Sequence, residues 1–126
     1  MKFEVDKSKI IVYLYNKDKL NMDEVFNNLK DYFDINSHNN LKIYKNEYYG
    51  IILEIYFRKN DRVEVLNNSL FLYEIKDPLD YINEEVYFYK NKYYLNIKKN
   101  DISIMEKSNI IYSNDVYKII GQGIKL

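Results

Sequence analysis

The sequence predicts an α+β protein with a predominantly antiparallel meander sheet of about eight strands. One amphipathic helix is expected near residues 22–33, with one or two short helices at the C-terminal end. Three observations support this. Apolar and polar residues alternate along most of the chain, as in strands. Only one segment has a clear helical period. Long helices do not alternate with strands, as a doubly wound sheet would require.

Domain organisation follows from length and composition. The chain has 126 residues, which is the size of one domain. It contains 3 Gly and 1 Pro, and no Ser/Gly/Pro-rich linker divides it. We therefore expect residues 1–126 to form a single α+β domain.

The first predicted hairpin joins residues 3–5 to residues 10–14 through a two-residue turn at Lys7 and Ser8. This register places Val5 opposite Ile10. It also brings the apolar residues of both strands to one face, namely Phe3, Val5, Ile10, Val12 and Leu14. The other face carries Ile11, Tyr13 and Tyr15. A shift of one residue would invert both faces, so their agreement favours this register.

The predicted helix begins after Asn21, which has Glu24 three residues further on, the spacing of a capping box. Its apolar residues fall at helical intervals and form one stripe: Met22, Val25, Phe26, Leu29, Tyr32 and Phe33. The helix is expected to end near Asp34, before a polar loop over residues 36–40.

The second predicted hairpin joins residues 41–45 to residues 49–57 through a three-residue loop, 46–48. Ile43 then lies opposite Ile51. The expected core face consists of Leu41, Ile43, Ile51, Leu53, Ile55 and Phe57. Gly50 indicates a bulge or a close backbone contact. Further strands are predicted at residues 62–66 and 70–75.

The third predicted hairpin joins residues 86–90 to residues 93–97 through Asn91 and Lys92, which places Val86 opposite Ile97 and Tyr89 opposite Tyr94. A turn or short helix is expected before it, at residues 79–83. After it we predict the following features: a short helix capped by Asn100, a strand or connector at residues 110–112, a second short helix capped by Ser113 or Asn114, and a helix stop at Gly121.

Charge and composition narrow the function classes. Lys plus Arg and Asp plus Glu both number 19, so the net charge is zero. This removes the general electrostatic argument for binding duplex nucleic acid or an anionic membrane. No apolar run approaches the length of a membrane span, and the first residues are unlike a signal peptide, so we expect a cytoplasmic protein. The residue usage indicates an AT-rich genome, which partly explains the 15 tyrosines.

The sequence shows no catalytic, cofactor-binding or metal-binding set. The chain has no Cys, and its one histidine, His38, lies in a polar loop without a rigidly placed partner. Gly121 and Gly123 do not follow a strand, as a phosphate loop would require. The acids closest to a cluster lack the alternate spacing and central Gly of a calcium loop; they are Asp77, Asp80, Glu84 and Glu85.

The remaining feature is an aromatic reverse face on the predicted sheet. Its candidate interaction residues are Tyr13, Tyr15, Tyr56, Tyr87, Tyr89 and Tyr94. A one-sided sheet should be polar there. Three explanations remain open: the helices cover part of this face, the sheet rolls into a partial barrel, or the face is an interface.

The leading functional hypothesis is a non-catalytic protein-interaction or regulatory module. It would use the tyrosine-rich face or a sheet edge against a protein partner or itself. The alternative is a single-stranded nucleic-acid-binding module that uses the aromatic and lysine-rich hairpin at residues 87–94. A third hypothesis is a small enzyme with carboxylate or tyrosine chemistry.

Overall fold

The computed structural model describes residues 1–126 and confirms the α+β class, with mostly antiparallel strands. The chain divides into two compact units, Met1–Asn68 and Ser69–Leu126. Each unit is built on one five-stranded sheet, so the strands number ten in two sheets rather than about eight in one. That the units together form one domain stays a prediction.

The first unit contains five strands and one helix. They are β1 (Lys2–Val5), β2 (Lys9–Tyr15), α1 (Met22–Leu29), β3 (Leu41–Asn46), β4 (Gly50–Tyr56) and β5 (Val63–Asn67). The strand order is β1-β2-β4-β3-β5, which departs from a simple meander because β4 inserts between β2 and β3. Strand β5 pairs with β3 in parallel, and every other pair in the unit is antiparallel.

The core of the first unit lies between α1 and one face of its sheet. The helix buries Val25 and Leu29 against the strand residues Ile10, Val12, Leu41, Ile43, Ile51, Leu53 and Ile55. The predicted cap is confirmed, because Asn21 Oδ1 accepts a hydrogen bond from the Glu24 amide at 3.2 Å. The apolar alternation of β2, β3 and β4 therefore identified the core face correctly, except that Phe57, which follows β4, is 37% exposed and lies outside the core.

Helix α1 ends at Leu29, earlier than residue 33. The last helical bond runs from the Lys30 amide to the Phe26 carbonyl, and the Leu29 carbonyl then accepts the amides of both Tyr32 and Phe33 at 3.0 Å. The chain tightens into a turn, and Tyr32 lies outside the apolar stripe with 77% of its surface exposed. Asn27 and Asn28, which have low helix propensity, precede this early end.

The predicted register of the first hairpin is confirmed. Val5 lies opposite Ile10, and Phe3 lies opposite Val12. The two-residue turn is held by the Asp6 carboxylate, whose Oδ1 accepts the amides of Ser8 at 2.8 Å and Lys9 at 3.0 Å. An aspartate that bonds its own backbone in this way compensates for the unfavourable Lys-Ser turn sequence.

The predicted register of the second hairpin is wrong by two residues. Ile43 lies opposite Leu53 rather than Ile51, and the loop consists of residues 47–49 between Asn46 and Gly50. Gly50 has φ +98°, and a Cβ there would lie 2.7 Å from the Asn16 amide nitrogen, so glycine is required. The close contact predicted at Gly50 is confirmed. A shift of two residues leaves every side chain on its predicted face.

The second unit contains the remaining elements. They are β6 (Leu72–Ile75), a 3₁₀ helix (Pro78–Tyr81), β7 (Glu85–Tyr89), β8 (Lys92–Asn96), α2 (Ile102–Lys107), β9 (Asn109–Ile111), α3 (Asp115–Gln122) and β10 (Ile124–Lys125). All pairs are antiparallel, in the order β10-β7-β8-β6-β9. Strand β10 is absent from the sequence prediction, because two residues after a helix carry no periodicity.

The third hairpin is also two residues out of its predicted register. Val86 lies opposite Leu95, Tyr87 lies opposite Tyr94, and the turn is Lys90-Asn91 rather than Asn91-Lys92. Both turn residues have positive φ, 46° and 66°. Two positive φ angles are typical of a type I′ turn, whose twist matches that of the strands.

Two helix boundaries near the C-terminus also differ from the prediction. Asp101, not Asn100, caps α2, and its Oδ1 accepts the Ile104 amide at 3.2 Å. Gly123, not Gly121, ends α3, where the backbone becomes extended, and a Cβ at Gly123 would clash with the Ile119 carbonyl oxygen. None of the helices has the length and apolar character needed to cross a membrane.

Candidate functional site

Helix α3 covers the tyrosines of the third hairpin. Tyr87 and Tyr94 are buried in one cluster with Leu72 of the sheet and with Val116 and Ile119 of α3. Tyr89 packs against the edge of this cluster. Its hydroxyl lies 3.3 Å from Gln122 Oε1 and donates a hydrogen bond to it. Tyr87 and Tyr94 are therefore core residues of the second unit, and only Tyr89 keeps partial exposure.

The other three predicted tyrosines lie on the face of the first sheet that is opposite α1. Tyr13 is buried, and its hydroxyl donates to Glu4 Oε2 at 3.1 Å. Tyr15 and Tyr56 are half-buried. Burial, with the nearby charge of Glu4, raises the pKa of Tyr15 to about 12. Burial also raises the pKa values of Tyr13 and Tyr56 well above the ordinary value of 10. These phenols stay protonated at neutral pH, and the hydroxyls of Tyr13 and Tyr56 act as hydrogen-bond donors.

A buried carboxylate organises the same face. Glu54 is 2% exposed and forms an ion pair with Lys9 at 2.9 Å. Glu54 Oε1 also accepts a hydrogen bond from the Tyr56 hydroxyl at 2.9 Å. The Lys9 ammonium lies 5.3 Å from the centre of the Tyr56 ring, which adds a cation–π contact. The group holds Tyr56 in place at the end of β4.

Two loops of the first unit, at residues 30–40 and 57–62, are joined by side-chain contacts. His38 Nδ1 lies 2.7 Å from Asp61 Oδ1, and both side chains are 67% exposed. Lys59 Nζ lies 3.1 Å from Asp34 Oδ2. His38 and Asp61 lie on different loops, 23 residues apart in sequence, so Asp61 could not be identified from the sequence as the partner of His38. The chain has no group of three or more His, Cys, Asp or Glu residues able to hold a metal ion.

An open edge with exposed apolar side chains lies at β1. Every residue of β1 is exposed, and Phe3 and Val5 keep 42% and 49% of their surfaces in solvent. The Phe3 ring lies edge-on to Phe33 with centroids 6.1 Å apart, and Phe33 lies 6.5 Å from Phe57. These side chains form a partly exposed apolar patch, here called the β1 patch: Phe3, Val5, Phe33 and Phe57.

A cleft of about 660 Å³ lies at the end of the first sheet where β4 ends and β3 and β5 begin. It is lined by Ser8, Asn40, Leu41, Lys42, Tyr56, Arg58, Arg62, Val63 and Glu64, and is here called the arginine cleft. Of its residues, only Tyr56 belongs to the predicted interaction surface. A signal was present in the sequence, since Arg58 and Arg62 are the only arginines of the chain and lie four residues apart.

No protein-family model, curated protein or solved structure matches this chain. The function is therefore argued from the geometry of the chain itself.

Proposed function

We propose that this chain is a non-catalytic protein-interaction module that associates through β1, and that its partner strand is β1 of a second copy. The observation that carries the proposal is that β1 lies at the edge of the first sheet and exposes the apolar side chains of Phe3 and Val5. Such an edge is a template for pairing with another chain. It corresponds to the sheet edge in the leading sequence hypothesis.

The direction of the backbone groups supports strand addition. The Asp6 amide bonds to the Lys9 carbonyl at 3.0 Å, which makes these two residues a hydrogen-bonded pair. Hydrogen-bonded and non-bonded pairs alternate along an antiparallel ladder. Hence Lys2 and Glu4 direct their amides and carbonyls to β2, while Phe3 and Val5 direct theirs to the open edge.

The charges of β1 favour a second copy as the partner. If two β1 strands pair antiparallel about a two-fold axis at Phe3, each Phe3 lies opposite the other as a hydrogen-bonded pair. Lys2 of each copy then lies opposite Glu4 of the other. Opposite charges that face each other across strands stabilise pairing, whereas like charges oppose it. A two-fold axis also closes the assembly at two copies.

Tyr87 and Tyr94 lie beneath α3, so the hairpin that motivated the nucleic-acid hypothesis has fewer accessible rings for base stacking. This placement favours the interaction module over the alternative.

Sedimentation of the full chain across the micromolar range tests the proposal. We expect a concentration-dependent dimer in the wild type. Lys2→Glu alone and Glu4→Lys alone should both abolish it, because each places like charges opposite one another. The double variant should restore it.

Two controls make this test specific. Leu79→Lys introduces one positive charge at a residue that is 76% exposed in the other unit, and it should leave the dimer unchanged. Circular dichroism verifies that each variant is folded, since Glu4 also bonds Tyr13. A wild-type chain that stays monomeric throughout the range, or a dimer insensitive to both charge reversals, contradicts the proposal.

A further inference from the structure

The residues that line the arginine cleft carry an excess of positive charge, and its two arginines form no ion pair. The ion pairs of the structure use seven lysines and His38, and neither Arg58 nor Arg62 has a carboxylate within 4.0 Å. Lys42 reaches Glu64 only at 3.9 Å. Three cations against one carboxylate leave the lining with a net charge of +2. The protein as a whole has a net charge of zero, so this excess is local.

The choice of arginine at these positions is informative. The chain contains 17 lysines and 2 arginines, so lysine is its ordinary cation. Both arginines nevertheless line one cleft. The guanidinium group presents a planar fork of donors that matches an oxyanion with two parallel hydrogen bonds, which an ammonium group cannot reproduce.

The backbone around the arginines is held by two asparagines. Asn40 Oδ1 accepts the amides of Asn60 at 3.1 Å and Arg62 at 3.2 Å. The buried Asn39 donates from Nδ2 to the Tyr56 carbonyl at 2.9 Å.

Main-chain bonds complete this arrangement. The consecutive amides of Asn40 and Leu41 donate to the carbonyls of Arg58 and Arg62, both at 2.8 Å. Hydrogen bonds to residues 40 and 41 thus hold the backbone of both arginines beside the start of β3. Because this backbone is already held in place, a ligand that binds the arginines would have less of the loop to order, and the entropic cost of binding would be lower.

We propose that the arginine cleft binds an organic phosphate, with the guanidinium groups of Arg58 and Arg62 holding the phosphate. A phosphate monoester carries a charge of about −1.5 to −2 at neutral pH, which suits the lining better than a single carboxylate does. The cleft volume of about 660 Å³ exceeds that of a phosphate group and lies within the range of small-molecule sites. Leu41, Val63 and the Tyr56 ring supply apolar surface for the remainder of the ligand.

This inference is independent of the dimer, because none of the residues in the cleft belongs to β1 or to the β1 patch. Calorimetric titration of the full chain with adenosine 5′-monophosphate, ribose 5-phosphate and adenosine tests it. The two phosphates should bind and adenosine should not. Equal affinity for the two phosphates identifies a sugar phosphate as the ligand class, and tighter binding of the nucleotide identifies a nucleotide.

Substitutions assign the binding to the cleft. Arg58→Gln and Arg62→Gln should each weaken binding about tenfold or more, since each removes charged hydrogen bonds. Arg58→Lys and Arg62→Lys should fail to restore it, because the fork is lost. Glu64→Gln should strengthen binding by removing the one opposing carboxylate.

The matched control is Lys59→Gln, which removes the same charge from the same loop at a side chain paired with Asp34. It should leave the affinity unchanged. The proposal is overturned if neither phosphate binds, if adenosine binds as tightly as its monophosphate, or if Lys59→Gln weakens binding as much as the arginine substitutions do.

Discussion

Left-handed backbone positions show how single residues determine the turns of this chain. Five residues other than glycine have positive φ: Asn16, Asp61, Asn68, Lys90 and Asn91. Four of the five are Asn or Asp, whose short polar side chains tolerate this conformation. These residues mark turns in the sequence, but the exact turn position depends on φ values that composition alone does not provide. Lys90 is the exception. Because lysine is not a usual residue at positive φ, the sequence placed the third hairpin turn one residue too late.

Substitution of the glycines by alanine should have opposite effects at two positions. Gly50→Ala should lower the free energy of unfolding by about 2 kcal/mol or more, because φ is positive and the new Cβ would meet the backbone of Leu14 and Asn16. Gly121→Ala should raise it by about 0.5–1 kcal/mol, because the site is helical and has no atom within 4 Å of the new Cβ. Urea denaturation measures both. Equal effects at the two sites would contradict the backbone argument.

The turn of the third hairpin should be improved by Lys90→Asn. Lys90 has φ 46°, which disfavours a long side chain, whereas asparagine tolerates this region. We expect a gain of about 0.5–1 kcal/mol in thermal or urea unfolding, reduced slightly by loss of the Lys90 contact with the Tyr89 ring at 5.3 Å. Asn91→Ala should have the reverse effect, since it places a less suitable residue at φ 66°. A loss of stability in Lys90→Asn would show that this strain is absent.

At the scale of elements, apolar alternation identified faces more reliably than registers. Two of the three hairpins are displaced by two residues, yet their side chains keep the predicted faces. A strand repeats every two residues, so the pattern cannot distinguish shifts by an even number. The first hairpin was placed correctly because its Asp6 turn closes the same two-residue loop that the pattern requires.

Carboxylates clamp the strands of the second sheet. Glu74 of β6 bonds Lys92 of β8 at 2.9 Å and Asn109 of β9 at 3.0 Å. Glu85 of β7 bonds Lys125 of β10 at 3.0 Å and Asn96 of β8 at 2.7 Å. Mainly through the hydrogen bonds that these lysines donate, the pKa values of both carboxyls lie below the ordinary value of 4.5.

The second sheet should therefore lose stability in acid. Because the pKa of each carboxyl is lower in the folded chain than its ordinary value, its contribution is full above about pH 4.5 and is lost as the pH falls through the folded-state pKa. Unfolding free energies at neutral and acidic pH should differ less in Glu74→Gln and Glu85→Gln than in the wild type. Glu47→Gln, at an exposed residue outside this sheet, is the control. Wild-type pH dependence in both clamp variants would contradict the assignment.

At the scale of the whole molecule, charge balance should govern solubility. The net charge is zero at pH 7, and the isoelectric point is about 6.6. Proteins associate and precipitate most readily where their net charge vanishes. We expect the lowest concentration of polyethylene glycol needed for precipitation near this pH. Lys7→Glu combined with Lys19→Glu, at two exposed lysines outside the ion pairs, should move the minimum to lower pH. A minimum that stays in place would rule out net charge as the cause.

The sequence by itself determined the α+β class, the first hairpin, the cap of α1 and the core faces of the first sheet. These features depend on local spacing and side-chain chemistry, which the chain carries directly. The tertiary structure decided the division into two sheets, the parallel pairing of β5, the burial of Tyr87 and Tyr94 under α3 and the assembly of the arginine cleft. Each of these joins residues that are distant in sequence, and periodicity holds no information about which strands or loops become neighbours.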